Sequence, residues 1–455
     1  MRILLTGGTG LVGRALGKKL VQSGYEVTLL VRNAKRAHTE QSFPARIFQW
    51  DGISSPPPPE AFMDVEGVVH LAGEGIADER WTEDRKRKLW NSRILSTQLL
   101  AQGLSQSQVR LKSYVGASAI GIYGNRGQEP LDESAKVGSD FLAQLCQEWE
   151  KSHRLVSAQH NTCVRIGVVL SERGGFLDRV VSIFQKVGAS SLGSGAQQTS
   201  WIHLEDLTNV LIACIQGKVS GVVNATAPHP ISNAKLTQAL AKQLDVMQMP
   251  PVPAAILKVA YGELSQILLE GQKVLPKKLQ EMGFDFLYPH FPEALAPIFE
   301  RVGPGEKKLV FESWVSRPRV EVFDFFCNEK NLETITPKSL QFHVLKKSTP
   351  QIQVGTLIDY RLKIHGIPVM WRTLISAFER NHLFIDEQLK GPYAKWHHTH
   401  TFSDLAGGTL ISDEVIFKPP MGWLGRLVTS SFIESDVKGI FAFRTQTIKK
   451  LFEGH

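Results

Sequence analysis

The sequence predicts two folds in series: a doubly wound α/β domain on a parallel sheet, then a smaller α+β domain on an antiparallel sheet. Three observations predict this. The chain opens with an apolar strand that passes through a glycine turn into a helix. Strand and helix segments then alternate through the first half, the pattern of parallel strands joined by right-handed crossovers. Beyond Gly303-Pro304-Gly305-Glu306, a break of the kind that separates domains, apolar and polar residues alternate through one segment after another. At 455 residues the chain is also too long for one ordinary core.

The first element is the apolar run Ile3-Leu4-Leu5. It leads into Gly7-Gly8-Thr9-Gly10-Leu11-Val12-Gly13, and Leu16 and Leu20 follow at helical spacing. Strand, glycine turn and helix form the context of a dinucleotide fingerprint, here spaced G-x-x-G-x-x-G. Gly7 allows the sharp turn, Gly10 a close approach of backbone to pyrophosphate, and Gly13 close packing of helix on strand. The amides of Thr9, Gly10, Leu11 and Val12 then face a diphosphate at the helix N-terminus. The bland alternative is a glycine-rich turn without a ligand.

Residues 26–31 (EVTLLV) read as the second strand, ending at Arg32. An acidic residue at this position binds a ribose 2′-hydroxyl, whereas a basic one accommodates a 2′-phosphate. Arg32 therefore favours NADP(H) over NAD(H), the alternative being a solvated basic loop. Residues 45–49 form a third strand, and Asp51 just beyond it is placed to meet an adenine edge. Residues 67–71 (GVVHL) form a fourth, so Leu71, Ala72, Gly73 and Glu74 lay small-residue backbone against the cofactor. A charged helix over 82–100 closes on Arg93, a further cofactor contact. The fifth strand begins at 115 and ends with Ser118. Ligands on such sheets sit at the carboxyl ends of the strands, where Arg32, Ala72, Gly73 and Ser118 all fall.

These motifs come in a recognisable order. Thr6–Gly13, His70–Glu74, Trp81–Arg93, Ser118–Gly124, Asp140–Glu150, Gly193–Asp206 and Leu268–Leu279 together resemble the atypical, epimerase-like extended short-chain dehydrogenases/reductases. The resemblance covers about the first 300 residues. It implies a Rossmann-type, NADP(H)-binding oxidoreductase or epimerase-like protein acting on a carbonyl or sugar-like small molecule. His70, where the family commonly has Asn, is the one departure. In this superfamily a Ser or Thr holds the carbonyl, a Tyr exchanges the proton and a Lys four residues on lowers its pKa. Ser118 occupies the Ser position. The helix that should carry Tyr and Lys instead reads Phe141-Leu142-Ala143-Gln144-Leu145-Cys146. Three accounts follow. Tyr123 supplies the hydroxyl; or Glu74, Asp140 or Cys146 moves the proton; or the domain binds NADP(H) without turnover, as a sensor. Residues 165–300 build the substrate side, and His203 and Asp206 there fix a strand-to-helix corner.

The domains are expected at 1–302 and 308–455, joined by a linker at 303–307. The second part reads as a strand (308–315), a short helix (319–327), five strands within 354–417 and a long last helix (423–452). This is the order of a helix-grip fold. Gly391-Pro392-Tyr393, Trp396–Phe402, Gly407-Gly408-Thr409 and Asp413-Glu414-Val415 resemble a branch of the polyketide-cyclase, START-like and coenzyme-Q-binding superfamily. That resemblance implies an apolar cavity holding a hydrophobic ligand, with Phe311, Tyr360, Trp371, Phe384, Trp396 and Phe441 as linings. His398 and His400 share one strand face and His397 takes the other. Two ligands do not close a zinc site, so no metal is expected.

Composition narrows the classes further. The formal charge is +8, but Lys and Arg are spread along the chain in short clusters such as Arg85-Lys86-Arg87-Lys88, which argues against nucleic acid. No apolar run is long enough for a membrane span, and no secretory signal is legible at the start. Cys146, Cys163, Cys214 and Cys327 are scattered thiols, expected in a reducing, cytoplasmic setting. The sequence is silent on oligomeric state.

Overall fold

The computed structural model describes residues 1–420 and 422–454, with side chains for all of these but 422–431. The chain divides into two compact units, one of Met1–Ala34 with Ala45–Glu300, the other of Lys35–Pro44 with Arg301–His455. The short segment Lys35–Pro44 groups with the second unit, a partition that no sequence pattern announces.

The first unit is built on a parallel seven-stranded sheet. Its strands are β1 (Arg2–Thr6), β2 (Glu26–Val31), β3 (Arg46–Gln49), β4 (Val65–His70), β5 (Leu111–Ala119), β6 (Ala158–Ile166) and β7 (Gly221–Ala225). They lie in the order β3-β2-β1-β4-β5-β6-β7. The order reverses between β1 and β4, so a crevice opens there beyond the strand ends. The central strands are apolar on both faces, as parallel strands covered by helices require: Ile3, Leu4, Leu5, Val68 and Val69 are all fully buried. Helices α1 (Leu11–Gln22), α2 (Glu83–Trp90), α3 (Ser96–Gln106), α4 (Phe141–His153) and α5 (Leu204–Ile215) cover the sheet.

Two departures from the expected elements have local causes. The helix expected over 82–100 is interrupted by a π-helical turn, Asn91–Leu95. The hydroxyls of Ser96 and Thr97 bond back to the carbonyls of Ser92 and Arg93 there, at 2.8 and 2.6 Å, and so loosen the helical ladder. The apolar run of residues 163–170, which reads as one strand, is cut at Gly167. A Cβ at Gly167 would lie 2.7 Å from the Ser200 carbonyl oxygen. The chain changes partner at that point, and Val168–Leu170 pairs with Trp201–His203 instead of with β7.

The second unit carries an antiparallel seven-stranded sheet. Its strands are β8 (Lys307–Val315), β9 (His343–Lys347), β10 (Leu357–Ile364), β11 (Ile367–Glu379), β12 (Leu383–Lys390), β13 (Lys395–Leu405) and β14 (Gly408–Lys418). From β9 to β14 they form a meander, and β8 pairs with β14 at the edge. Two short helices, α6 (Arg319–Phe326) and α7 (Glu329–Thr334), follow β8, and α8 (Gly422–Glu453) ends the chain. Helix α8 packs Val437 and Phe441 against Val415 and Phe417, and Ile448 and Phe452 against Val315 and Phe323. Strand β9, half exposed at the sheet edge, is the strand that sequence alternation does not reveal.

Candidate functional site

The crevice at the β1/β4 reversal is floored by glycine. Gly7 stands at φ +70°, a conformation that side chains rarely adopt, and a Cβ there would sit 2.9 Å from the Leu71 carbonyl. A Cβ on Gly13 would come within 2.2 Å of the Gly7 carbonyl oxygen. The Gly7 turn is closed by the Gly10 amide, which donates to the Gly7 carbonyl at 3.0 Å. Gly10 caps α1 without a side-chain hydrogen bond, and the first turn holds no acidic residue. The amides of Leu11 and Val12 at the start of α1 are therefore offered to an anion, with the positive end of the helix dipole behind them.

The opposite wall is the segment after β4. The Thr6 hydroxyl accepts from the Ala72 amide at 3.2 Å and bonds His70 Nδ1 at 2.7 Å. His70 reaches on to Thr97 through Nε2 at 3.0 Å. Burial pushes the His70 pKa down to about 3, so the ring is neutral. His70 thus binds β1, β4 and α3 together from inside.

Arg93, on the π-helical turn, donates to the Glu74 carbonyl at 2.8 Å and the Leu89 carbonyl at 3.2 Å, and its guanidinium lies over the Trp149 ring. It shapes the 73–74 backbone. The fit is close: a Cβ on Gly73 would meet the Arg93 guanidinium at 3.3 Å. Arg32 at the end of β2 is largely exposed and pairs with Glu74 at 2.5 Å; Arg85 approaches the same carboxylate at 3.6 Å. Asp51 lies further out, where its carboxylate accepts from the Ile53 and Ser54 amides at 2.9 and 3.0 Å. From the substrate side Gly175 comes up to Leu11, and Arg179 on the helix Phe176–Val187 pairs with Asp78.

Ser118 and Tyr123 belong to one buried network. The Ser118 hydroxyl donates to Glu150 at 2.9 Å, and Arg165 grips the same carboxylate with two bonds of 2.8 and 2.9 Å. Arg165 also donates to the Tyr123 hydroxyl at 2.9 Å, which itself donates to Asn224 Oδ1 at 2.7 Å. Tyr123 is fully buried, and that burial raises its pKa despite the guanidinium beside it. Ser118 and Tyr123 stand out in the sequence itself. Glu150, Arg165 and Asn224 do not, because they lie on α4, β6 and β7 and meet only through strand order.

The other proton-transfer candidates are also engaged. Asp140 caps α4 by accepting from the Ala143 amide at 3.0 Å. Burial pushes the Cys146 thiol up to about 11. Glu74 holds Arg32. At the corner after Trp201–His203, His203 accepts from the Glu205 amide at 3.2 Å, and Asp206 from the Leu287 and Tyr288 amides at 2.8 and 3.1 Å.

With this geometry in view, comparison with known proteins is decisive for the first unit. The NAD dependent epimerase/dehydratase family matches residues 3–226. An epimerase family protein SDR39U1 homolog, chloroplastic, from Arabidopsis thaliana is 36% identical over 307 residues, spanning 66% of this chain and 87% of that protein. The chain belongs to the epimerase family. The human epimerase family protein SDR39U1 is 33% identical over 304 residues, which is 66% of this chain and 99% of the human one. The crystal structure of its isoform 2 with NADPH superposes with a TM-score of 0.59 at 32% identity, covering 66% of this chain and 100% of that one. Residues 252–298 match a domain of unknown function, DUF1731, inside the stretch that sequence reading assigns to the substrate side. Among the described residues no helix is long and apolar enough to cross a membrane.

The second unit holds a cavity of about 720 Å³ between the sheet, α7 and α8. Tyr360, Trp371, Phe384, Trp396 and Phe441 line it as expected. Phe311 instead stacks on Phe441, with ring centroids 4.2 Å apart. Ionisable side chains interrupt the apolar wall, and Asp386, His398, His400 and Arg444 form one group of them.

Proposed function

We propose that the first unit binds NADP(H) in the β1/β4 crevice and acts as an atypical oxidoreductase or epimerase on a small carbonyl or sugar-like molecule. The glycine cradle carries this reading. Gly7 and Gly13 stand where any side chain would strike backbone, and the α1 amides beside them lack a capping side chain. Thr9, Gly10, Leu11 and Val12 hold the diphosphate, and Leu71, Ala72, Gly73 and Glu74 lie along the nucleotide, propped by Arg93. Arg32 takes the 2′-phosphate by exchanging its contact with Glu74, and Asp51 meets the adenosine end. When bound, the nicotinamide supplies or accepts hydride. The human SDR39U1 crystal structure, obtained with NADPH, supports the choice of dinucleotide.

In this reading Ser118 turns its hydroxyl proton from Glu150 to the substrate oxygen, while Tyr123 positions Arg165. Titration calorimetry tests it. NADPH is expected to bind the wild type and not Gly13→Ala, whose Cβ would displace the Gly7 carbonyl. Arg32→Glu should weaken NADPH at least about tenfold relative to NADH, since 1.4 kcal/mol separates factors of ten. No heat with either dinucleotide would overturn the proposal.

A second reading, a non-catalytic NADP(H) sensor coupled to a lipid-like ligand in the second unit, is favoured by one observation. The Tyr123 hydroxyl is enclosed by Arg165, Asn224 and the Asp132 carbonyl, and its pKa is raised. NADPH binding without oxidation by any of a panel of quinones and aldehydes would select this reading. The apolar walls of the C-terminal cavity support the hydrophobic ligand in either case.

A further inference from the structure

We propose that the charged patch of the C-terminal cavity is a binding site for a divalent first-row transition ion, ligated by Asp386, His398 and His400. The site is independent of the dinucleotide reading and of any apolar ligand. Strand register assembles it. His398 and His400, two apart on β13, share a face. Asp386 on β12 pairs directly with His398, and Asp413 on β14 pairs directly with His400.

The ligand atoms already converge. Asp386 Oδ2 lies 3.2 Å from His398 Nδ1 and 3.0 Å from His400 Nε2. One donor atom from each of the three residues can be chosen so that all lie within 4.8 Å of one another. Ligand atoms around a tetrahedral zinc stand about 3.3 Å apart, given bonds of about 2.0–2.1 Å. Small side-chain shifts therefore suffice. Two imidazoles and one carboxylate leave a further coordination position, and all three residues line the cavity, so that position opens onto it.

Asp413 completes the arrangement from behind. Metal-binding histidines usually donate their second nitrogen to a carboxylate, which fixes the ring. His398 Nε2 meets Asp413 Oδ1 at 2.9 Å. His400 Nδ1 lies 2.8 Å from the same oxygen, yet at an angle that leaves it without a hydrogen-bond partner among the described residues. A ring turned by ligation through Nε2 would correct that approach.

Charge points the same way. The carboxylates of Asp386 and Asp413 and the guanidinium of Arg444 sum to one negative charge on a wall that is largely buried. Arg444 lies 3.8 Å from Asp413 and over the Phe441 ring, so Asp413 is the carboxylate that meets its charge. A cation entering there meets a net negative surrounding.

The test uses the full chain, stripped with chelator, dialysed and titrated with Zn2+ by calorimetry, and with Co2+ by visible absorption. One ion per chain and the intense Co2+ bands of a low-coordinate nitrogen and oxygen site are expected. Asp386→Asn and His400→Gln should abolish both signals, and Asp413→Asn should weaken binding about ten- to a hundred-fold. His397→Gln, on the opposite strand face and bonded to Glu387 at 3.0 Å, should leave binding unchanged. Absence of binding, or equal binding by Asp386→Asn and His400→Gln, would overturn the proposal. Should those variants lose their fold by circular dichroism, ring-nitrogen spectra of the wild type decide. Zn2+ must shift two histidines, neither of them His397, and a spectrum without that response also overturns it.

Discussion

Each unit buries a cluster of charged groups beside its sheet, and the two clusters are finished differently. In the first, Glu150 takes two bonds from Arg165 and one from Ser118, and the Tyr123 hydroxyl and Asn224 extend the chain. No buried side-chain polar atom of these five residues lacks a partner. In the second, Arg444 Nε and Nη1 and His400 Nδ1 have no hydrogen-bond partner among the described residues, and the cluster forms part of a cavity wall. A buried charge is costly unless paired. A closed network therefore reads as a frame that holds strands in place, and an incomplete one as a place that something else completes. In the first unit the openness lies elsewhere, in the backbone amides at the start of α1.

The largest expected effect comes from breaking the closed network. Glu150→Leu leaves Arg165 buried without a counter-charge, at a cost of about 3–5 kcal/mol of stability in urea unfolding. An effect below about 1 kcal/mol would show that the cluster is not the closed frame described. Acid is the next lever. His70 and His153 are buried neutral, with pKa values pushed down by desolvation to about 3 and about 4. The unfolded chain takes up protons at these residues from about pH 6.5 downward while the folded chain does not. Stability should therefore fall as pH drops from about 6.5 toward 4, by up to about 1.4 kcal/mol per pH unit for each histidine. Urea midpoints followed by tryptophan fluorescence would show it, and His70→Asn should flatten the slope.

Tyr123→Phe should cost about 1–3 kcal/mol, because Asn224 Oδ1 and an Arg165 N–H lose a buried partner. If turnover is found, a positioning role predicts that kcat falls modestly with an unchanged pH profile. Loss of an entire limb of that profile would make the hydroxyl the proton donor. The smallest effect is expected across the comparison: Asp386→Asn, on the cavity wall and 18% exposed, should cost under about 2 kcal/mol. Water in the cavity can replace one of its bonds. Equality with Glu150→Leu would erase the distinction between the two clusters.

Much of the frame was legible from residue order. The strand of residues 26–31 was predicted to the residue, because an apolar run bounded by a turn and a basic end admits one reading. The two-residue periodicity of the last third of the chain was legible as an antiparallel sheet, and the chain forms one there. Other features were not legible. The π-helical turn depends on hydroxyls bonding back to carbonyls within one helix, and the periodicity of 82–100 passes through it unbroken. Edge strand β9 buries too little to alternate. Segment Lys35–Pro44 groups with residues nearly three hundred positions away.

What the sequence determined by itself was local: the glycine turn after β1, Arg32 at the end of β2, and the pair His398 and His400 on one strand face. These depend on neighbours a few residues apart, where backbone sterics and side-chain alternation leave few choices. Only the tertiary structure decided which distant groups meet. It sealed Tyr123 among Arg165 and Asn224, and it supplied Asp386 and Asp413 to two histidines that alone would close no site. Strand register made both decisions, and register follows from burying whole sheet faces rather than from any one residue's preference.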